Sequence, residues 1–227
     1  MPPNTGKKKI YLVLCKKQYR LAATFMRFQE HYESPRFKGL IFSVEEYMDW
    51  YAEENGNFSY FQDWSGFNIP SWVLEPFYDG DFNPLTEKEK AFLDLFRGIG
   101  GDFYIIGATW DTKKREFKTV VKHEFVHGLF YTEADYKQKV IEESKKHDTS
   151  KIERALSKIG YAPAVYLDEM NAYLLTGADS LKREGAPWSE VRRLRSCMER
   201  VFKECFGFMM RSARLEKIIK QVHLLKF

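Results

Sequence analysis

The sequence predicts an α+β fold, a small mixed sheet packed by many helices. Three observations carry this. Two short apolar runs rich in β-branched and aromatic residues, Ile10–Cys15 and Phe103–Trp110, read as strands, the first of them buried. Longer stretches place apolar residues three and four apart, the period of a helix with one buried face. The chain, at 227 residues, can bury one generous core.

The elements follow in order. Leu21, Phe25, Phe28 and Tyr32 put a helix over Gln18–Glu33, which stops before Pro35 because a residue preceding proline avoids helical geometry. His31 and Glu33 then belong to a solvated helix end. Gly39–Phe42 is a possible short strand. Ser43 with Glu46, and Thr86 with Glu89, are capping boxes that open helices ending at Asn55-Gly56 and before Gly98. Between them, Phe58–Pro84 mixes Trp, Phe and Tyr with Gly and Pro and has neither period; it reads as an irregular aromatic layer or a cleft wall. In Phe103–Trp110, Gly107 marks a possible bulge. Asp111–Glu116 is polar and turns the chain toward the next helix. Helices are expected over Ala134–Glu143 and Ser150–Ile159, and a long one capped by Ser189. The apolar residues Leu215, Ile218, Ile219, Val222 and Leu225 continue the helical period.

Composition narrows the classes of function. A net charge of +4 is mild and marks no nucleic-acid footprint. The apolar run Ile10–Cys15 is too short for a membrane span or the core of a signal peptide, so no membrane partner is expected. Three cysteines, Cys15, Cys197 and Cys205, show no C-x-x-C spacing, and their odd number points to a reducing, cytoplasmic setting.

One stretch makes a specific chemical offer. His123-Glu124-Phe125-Val126-His127 reads H-E-x-x-H. On a helix the two imidazoles lie on one face, one turn apart, where they can share a cation. Glu124 lies about 100° further round, placed for a general base. The pattern resembles the zincin metallopeptidases. The order of strand, then H-E-x-x-H helix, is similar to their scaffold, in which the strand before the metal helix is the sheet edge that holds a peptide substrate. That resemblance makes Phe103–Trp110 the expected edge strand.

A catalytic zinc takes three protein ligands and keeps one open position. The metzincin branch would place the third at Glu133, after a Gly that allows a sharp turn. Here Phe130 stands at that Gly position, and a bulky residue resists positive φ. The gluzincin branch draws a Glu from a later helix. Glu169 in Tyr166-Leu167-Asp168-Glu169-Met170-Asn171-Ala172 fits that role, with Ala172 on the same face allowing close approach. The thermolysin-like branch carries a His-orienting Asp at the position of Tyr173. Asp168 is an alternative support, although adjacency to Glu169 points it elsewhere on the helix.

The resemblance thus implies Zn²⁺ on His123, His127 and Glu169, with Glu124 as the catalytic base. Tyr131 is the first candidate for a transition-state donor; Tyr166 and Tyr173 compete with it, and His147 sits in a lysine-rich turn. The resemblance covers the strand–helix unit and the Glu169 helix and says little about the first hundred residues. The expected layout is a single zincin-like domain, residues 1–227, with an aromatic-rich part at 1–100, a metal-binding core at 101–180 and C-terminal helices at 188–227. The expected activity is hydrolysis of peptide bonds in a peptide or protein substrate. A catalytically silent scaffold that binds or regulates is the alternative. Arg192, Arg193, Arg195 and Arg200 line one side of the last long helix, a solvated face open to an acidic partner.

Overall fold

The computed structural model describes residues 9–110 and 113–227. The chain forms two compact units, one on Tyr11–Val120 with Leu224–Phe227 and one on Val121–His223. The strand expected over Phe103–Trp110 lies in the first of these units and the H-E-x-x-H residues lie in the second.

The first unit contains β1 (Ile10–Cys15), α1 (Gln18–Glu33), α2 (Val44–Asn55), α3 (Tyr60–Asp63), β2 (Gly66–Pro70), α4 (Glu75–Tyr78), α5 (Glu87–Asp94) and β3 (Tyr104–Thr109). Both capping boxes form. Ser43 accepts from the Glu46 amide at 3.0 Å and its own amide donates to Glu46 at 2.7 Å; Thr86 and Glu89 reciprocate in the same way. Glu89 does more than cap. Its carboxylate receives Nε and Nη2 of Arg27 at 2.7 and 2.6 Å, an ion pair that closes α1 against α5 almost wholly out of water. Arg27 also donates to the Phe82 carbonyl at 3.0 Å, so this buried charge is hydrogen-bonded as well as paired. Around it pack Phe25, Phe28, Phe67, Phe77 and Phe92, with Phe77 and Phe82 stacked at 3.8 Å.

A four-stranded mixed sheet runs in the order β2-β3-β1-β4, where β4 is His223–Lys226. The expectation that Phe103–Trp110 forms the sheet edge is wrong. β3 lies between β2 and β1, every one of its residues is buried, and β2 pairs with it antiparallel from Gly66↔Ala108 to Pro70↔Tyr104. A near-continuous apolar run is what a strand covered on both faces requires. Nor is there a bulge at Gly107, which sits in register opposite Phe67. Its missing side chain makes room for a neighbour: a Cβ there would lie 2.9 Å from the Phe25 ring. β2 lies hidden in the aromatic stretch, and β4 in what reads as a helical period, where helix covers only Leu215–Ile219.

Smaller corrections have equally local causes. Gly39–Phe42 is irregular, not a strand. His31 is buried, its Nδ1 2.8 Å from the Leu40 carbonyl. The polar stretch Asp111–Glu116 falls partly outside the described residues, and helix has already begun at Lys114.

The second unit is helical: α6 (Lys114–Thr132, from Val121 onward), α7 (Ala134–Ser144), α8 (Ser150–Ile159), α9 (Tyr166–Thr176), α10 (Asp179–Arg183), α11 (Trp188–Phe206) and α12 (Leu215–Ile219). α9 packs against α7, α8 and α11. Tyr136 on α7 donates to Asn171 on α9 at 3.0 Å and lies edge-on to Phe202 and Phe206 of α11. Ser189 does not cap α11; Pro187 holds the N-cap position, with no side-chain hydrogen bond. Nor are all its arginines solvated: Arg195 is buried, its guanidinium 5.1 Å over the Trp188 ring. No helix among the described residues is long and apolar enough to cross a membrane.

Candidate metal centre

The H-E-x-x-H stretch lies in mid-α6 as the spacing predicts, and the helix is buried from Glu124 to Phe130. α6 continues unbroken to Thr132 with no positive φ at Phe130, so no sharp turn brings Glu133 back toward the histidines. Glu133 instead begins α7 as its N-cap residue.

Glu169, in the first turn of α9, faces both histidines. His123 Nε2 lies 3.5 Å from its Oε2, and His127 Nε2 lies 3.5 Å from its Oε1. One nitrogen from each ring and one carboxylate oxygen fall within 4.8 Å of one another. The rings themselves stand 4.8 Å apart at 76°.

The protons can be assigned by elimination. Thr176 donates its only hydroxyl hydrogen to the Ala172 carbonyl at 2.7 Å. Toward His123 Nδ1, 3.3 Å away, it can therefore only accept, so Nδ1 carries a hydrogen, and in the neutral tautomer this leaves the lone pair on Nε2. Asp168 does the same for His127. Its Oδ1 lies 2.9 Å from Nδ1, off the line a hydrogen bond needs but close enough to favour the proton there. In the neutral rings both Nε2 atoms thus converge with Glu169 as acceptors, and the Tyr161 phenol is hydrogen-bonded to the Glu169 carboxylate. Among the described residues, His127 Nε2 and Glu169 Oε2 have no geometrically well-formed hydrogen-bond partner.

Such an arrangement is costly unless protons or a cation occupy its centre. The side chains balance charge among themselves. Burial opposes charge on His127, yet the Asp168 and Glu169 carboxylates outweigh it and raise that imidazole well above its ordinary range. Burial pushes Glu169 upward, and the adjoining histidines with the Tyr161 phenol more than reverse this and hold it low. Two nitrogens and one carboxylate oxygen are a donor set suited to a divalent transition ion.

Glu124 is buried, and its charge acts on His127 and on the phenol of Tyr173. The Tyr173 ring packs edge-on to His123 at 4.8 Å, and its hydroxyl lies 3.3 Å from that of Tyr161. Tyr131 sits half-buried beyond His127, and His147 is committed elsewhere, to Glu143. Asp168, the alternative support, reaches His127 despite its adjacency to Glu169, because the two nitrogens of one rigid imidazole span both carboxylates. Two participants escape the sequence reading. Thr176 lies two turns beyond Glu169 on the same helix face, a spacing that could have revealed it. Tyr161 precedes α9 and carries no spacing signal.

No family model, curated protein or solved structure matches the chain. The reading of this centre rests on its own chemistry.

Proposed function

We propose that the protein is a zinc-dependent peptide hydrolase, with His123, His127 and Glu169 as the metal ligands and Glu124 as the general base. The observation that carries this reading is the convergence of two imidazole nitrogens and one carboxylate oxygen within 4.8 Å of one another, beside a buried carboxylate one helix position from His123. Zinc held there would supply a Lewis acid that polarises a carbonyl and acidifies a water. The chain's own groups do the rest. Glu124 takes the proton of the attacking water and delivers it to the departing amine. Burial raises the Tyr173 hydroxyl above its ordinary range, so it stays protonated and can donate to an oxyanion. Thr176 and Asp168 hold the two rings in the tautomer that leaves Nε2 available.

Two measurements test this together. Protein purified without added metal should contain zinc, and His123→Ala and His127→Ala should each lose an equivalent of it. Glu124→Gln should keep the zinc and lose cleavage across a peptide library. If the histidine variants hold as much zinc as the parent, the metal assignment fails. If the zinc-loaded parent cleaves no peptide, the metal stays and the alternative of a silent binding scaffold replaces hydrolysis.

A further inference from the structure

We infer that Glu143, His147 and Cys197 form a second transition-metal site, one that would take zinc and join the C-terminal end of α7 to α11. A carboxylate oxygen, an imidazole nitrogen and a sulfur of these residues lie within 4.8 Å of one another. Sulfur, nitrogen and oxygen donors in one cluster suit zinc, which tolerates mixed ligands and irregular angles. The inference does not depend on the hydrolase reading, since none of its residues belongs to the centre on α6 and α9.

The backbone brings the three together without strain. α7 ends at Ser144, but turn hydrogen bonds from Lys146 to Glu143 and from His147 to Ser144, both 3.1 Å, carry the chain on around the same face. His147 Nε2 thereby comes to 3.3 Å from Glu143 Oε1. Cys197 lies on α11, which packs against α7, and its thiol donates to the Glu143 carboxylate.

Glu143 is the anchor. It is buried, and the Lys146 ammonium at 2.8 Å, with His147 and the Cys197 thiol, pulls its carboxyl down to about 2, so it is ionised at any working pH. The present counter-charges are poor competitors for a metal. Lys146 and Arg200, the latter 3.4 Å from Oε1, are exposed over more than half of their side chains. Exposed pairs of this kind contribute little, and long side chains swing into water at small cost. Burial and the Glu143 charge keep the Cys197 thiol protonated. Ligation exchanges that proton for the metal: the S–H bond breaks, a sulfur–metal bond forms and the proton leaves to solvent, with no change of oxidation state.

Cobalt(II) is the probe, because thiolate ligation gives it a charge-transfer absorption in the near ultraviolet. The full chain carrying His123→Ala and His127→Ala removes the first centre and isolates the second. Titrating this metal-free variant at neutral pH should produce the thiolate band, saturating at one equivalent. Adding Cys197→Ser should abolish the band, and adding His147→Ala should weaken binding at least tenfold. Absence of the band, or its survival in Cys197→Ser through Cys15 or Cys205, overturns the assignment. A thermal melt covers the chance of misfolding. Zinc should raise the melting temperature of the double variant and leave that of the Cys197→Ser derivative unmoved. Equal responses in the two would show that Glu143 is only an ion-pair hub.

Discussion

At the residue scale, the informative groups are those whose hydrogens have nowhere else to go. Because Thr176 gives its hydrogen to Ala172, it defines which edge of His123 is free. Thr176→Val keeps the volume and removes the acceptor. Metal affinity should fall by about 10–100-fold, the usual loss for a group that orients a ligand, and competition with a chromophoric chelator would measure it. Unchanged affinity would mean that the tautomer is set elsewhere. Asp168→Asn should act in the same direction through His127, whose pKa would drop toward the ordinary imidazole range once that carboxylate is gone. Tyr173→Phe separates catalysis from binding. If the phenol donates to an oxyanion, kcat should drop by about 10²-fold with KM little changed. A drop confined to KM would leave Tyr173 as a packing partner of His123.

At the element scale, burial on both faces decided the place of β3 in its sheet. β3 cannot recruit an extended peptide by strand addition, because β2 and β1 already take its amides and carbonyls; the edges of this sheet are β2 and β4. Close packing of β3 against α1 depends on Gly107. Gly107→Ala should destabilise the protein by about 1–3 kcal/mol, since the Phe25 ring has to move, and urea denaturation would report it. The α1–α5 ion pair makes a sharper case. Arg27→Met leaves the buried Glu89 without its partner, a loss of about 3–5 kcal/mol by the same measurement. Replacing both, as Arg27→Met with Glu89→Leu, should recover part of that loss while still sacrificing the Thr86 capping box. A double variant no better than the single would show that the cap matters more than the charge.

At the scale of the whole molecule, stability should depend on pH through Glu30. Burial pushes this carboxyl up to about 7, against the Tyr60, Ser34 and Tyr47 hydroxyls that lower it; Tyr60 donates to Oε1 at 2.8 Å. In an unfolded chain a glutamate titrates near about 4.3. The folded state therefore binds the proton more tightly. The resulting stabilisation is complete below the unfolded value and is lost as pH rises through about 7. Since Glu30 keeps some surface accessible, the effect is about 2 kcal/mol or less. Glu30→Gln should melt like the parent at acid pH and several degrees higher at pH values above the folded pKa. A parallel pair of melting curves across that window would remove Glu30 from the account.

By itself, the sequence determined what local rules can determine. Residues three and four apart placed the helices. Ser43 with Glu46 and Thr86 with Glu89 placed two helix starts, and the H-E-x-x-H spacing put two imidazoles and a carboxylate on one helix. Glu169 was legible because a Glu among buried-looking positions needs a reason to be there. Each is a relation within a few residues, enforced by backbone geometry or by the cost of burying charge. Only the tertiary structure decided the rest. It hid β2 in the aromatic stretch and turned β3 from an edge into a central strand, because strand order depends on partners far away in the chain. It also brought Asp168 and Thr176 to the outer edges of the two imidazoles. Direction of a short polar side chain at a helix face is set by what packs against it, and no spacing rule encodes the partner.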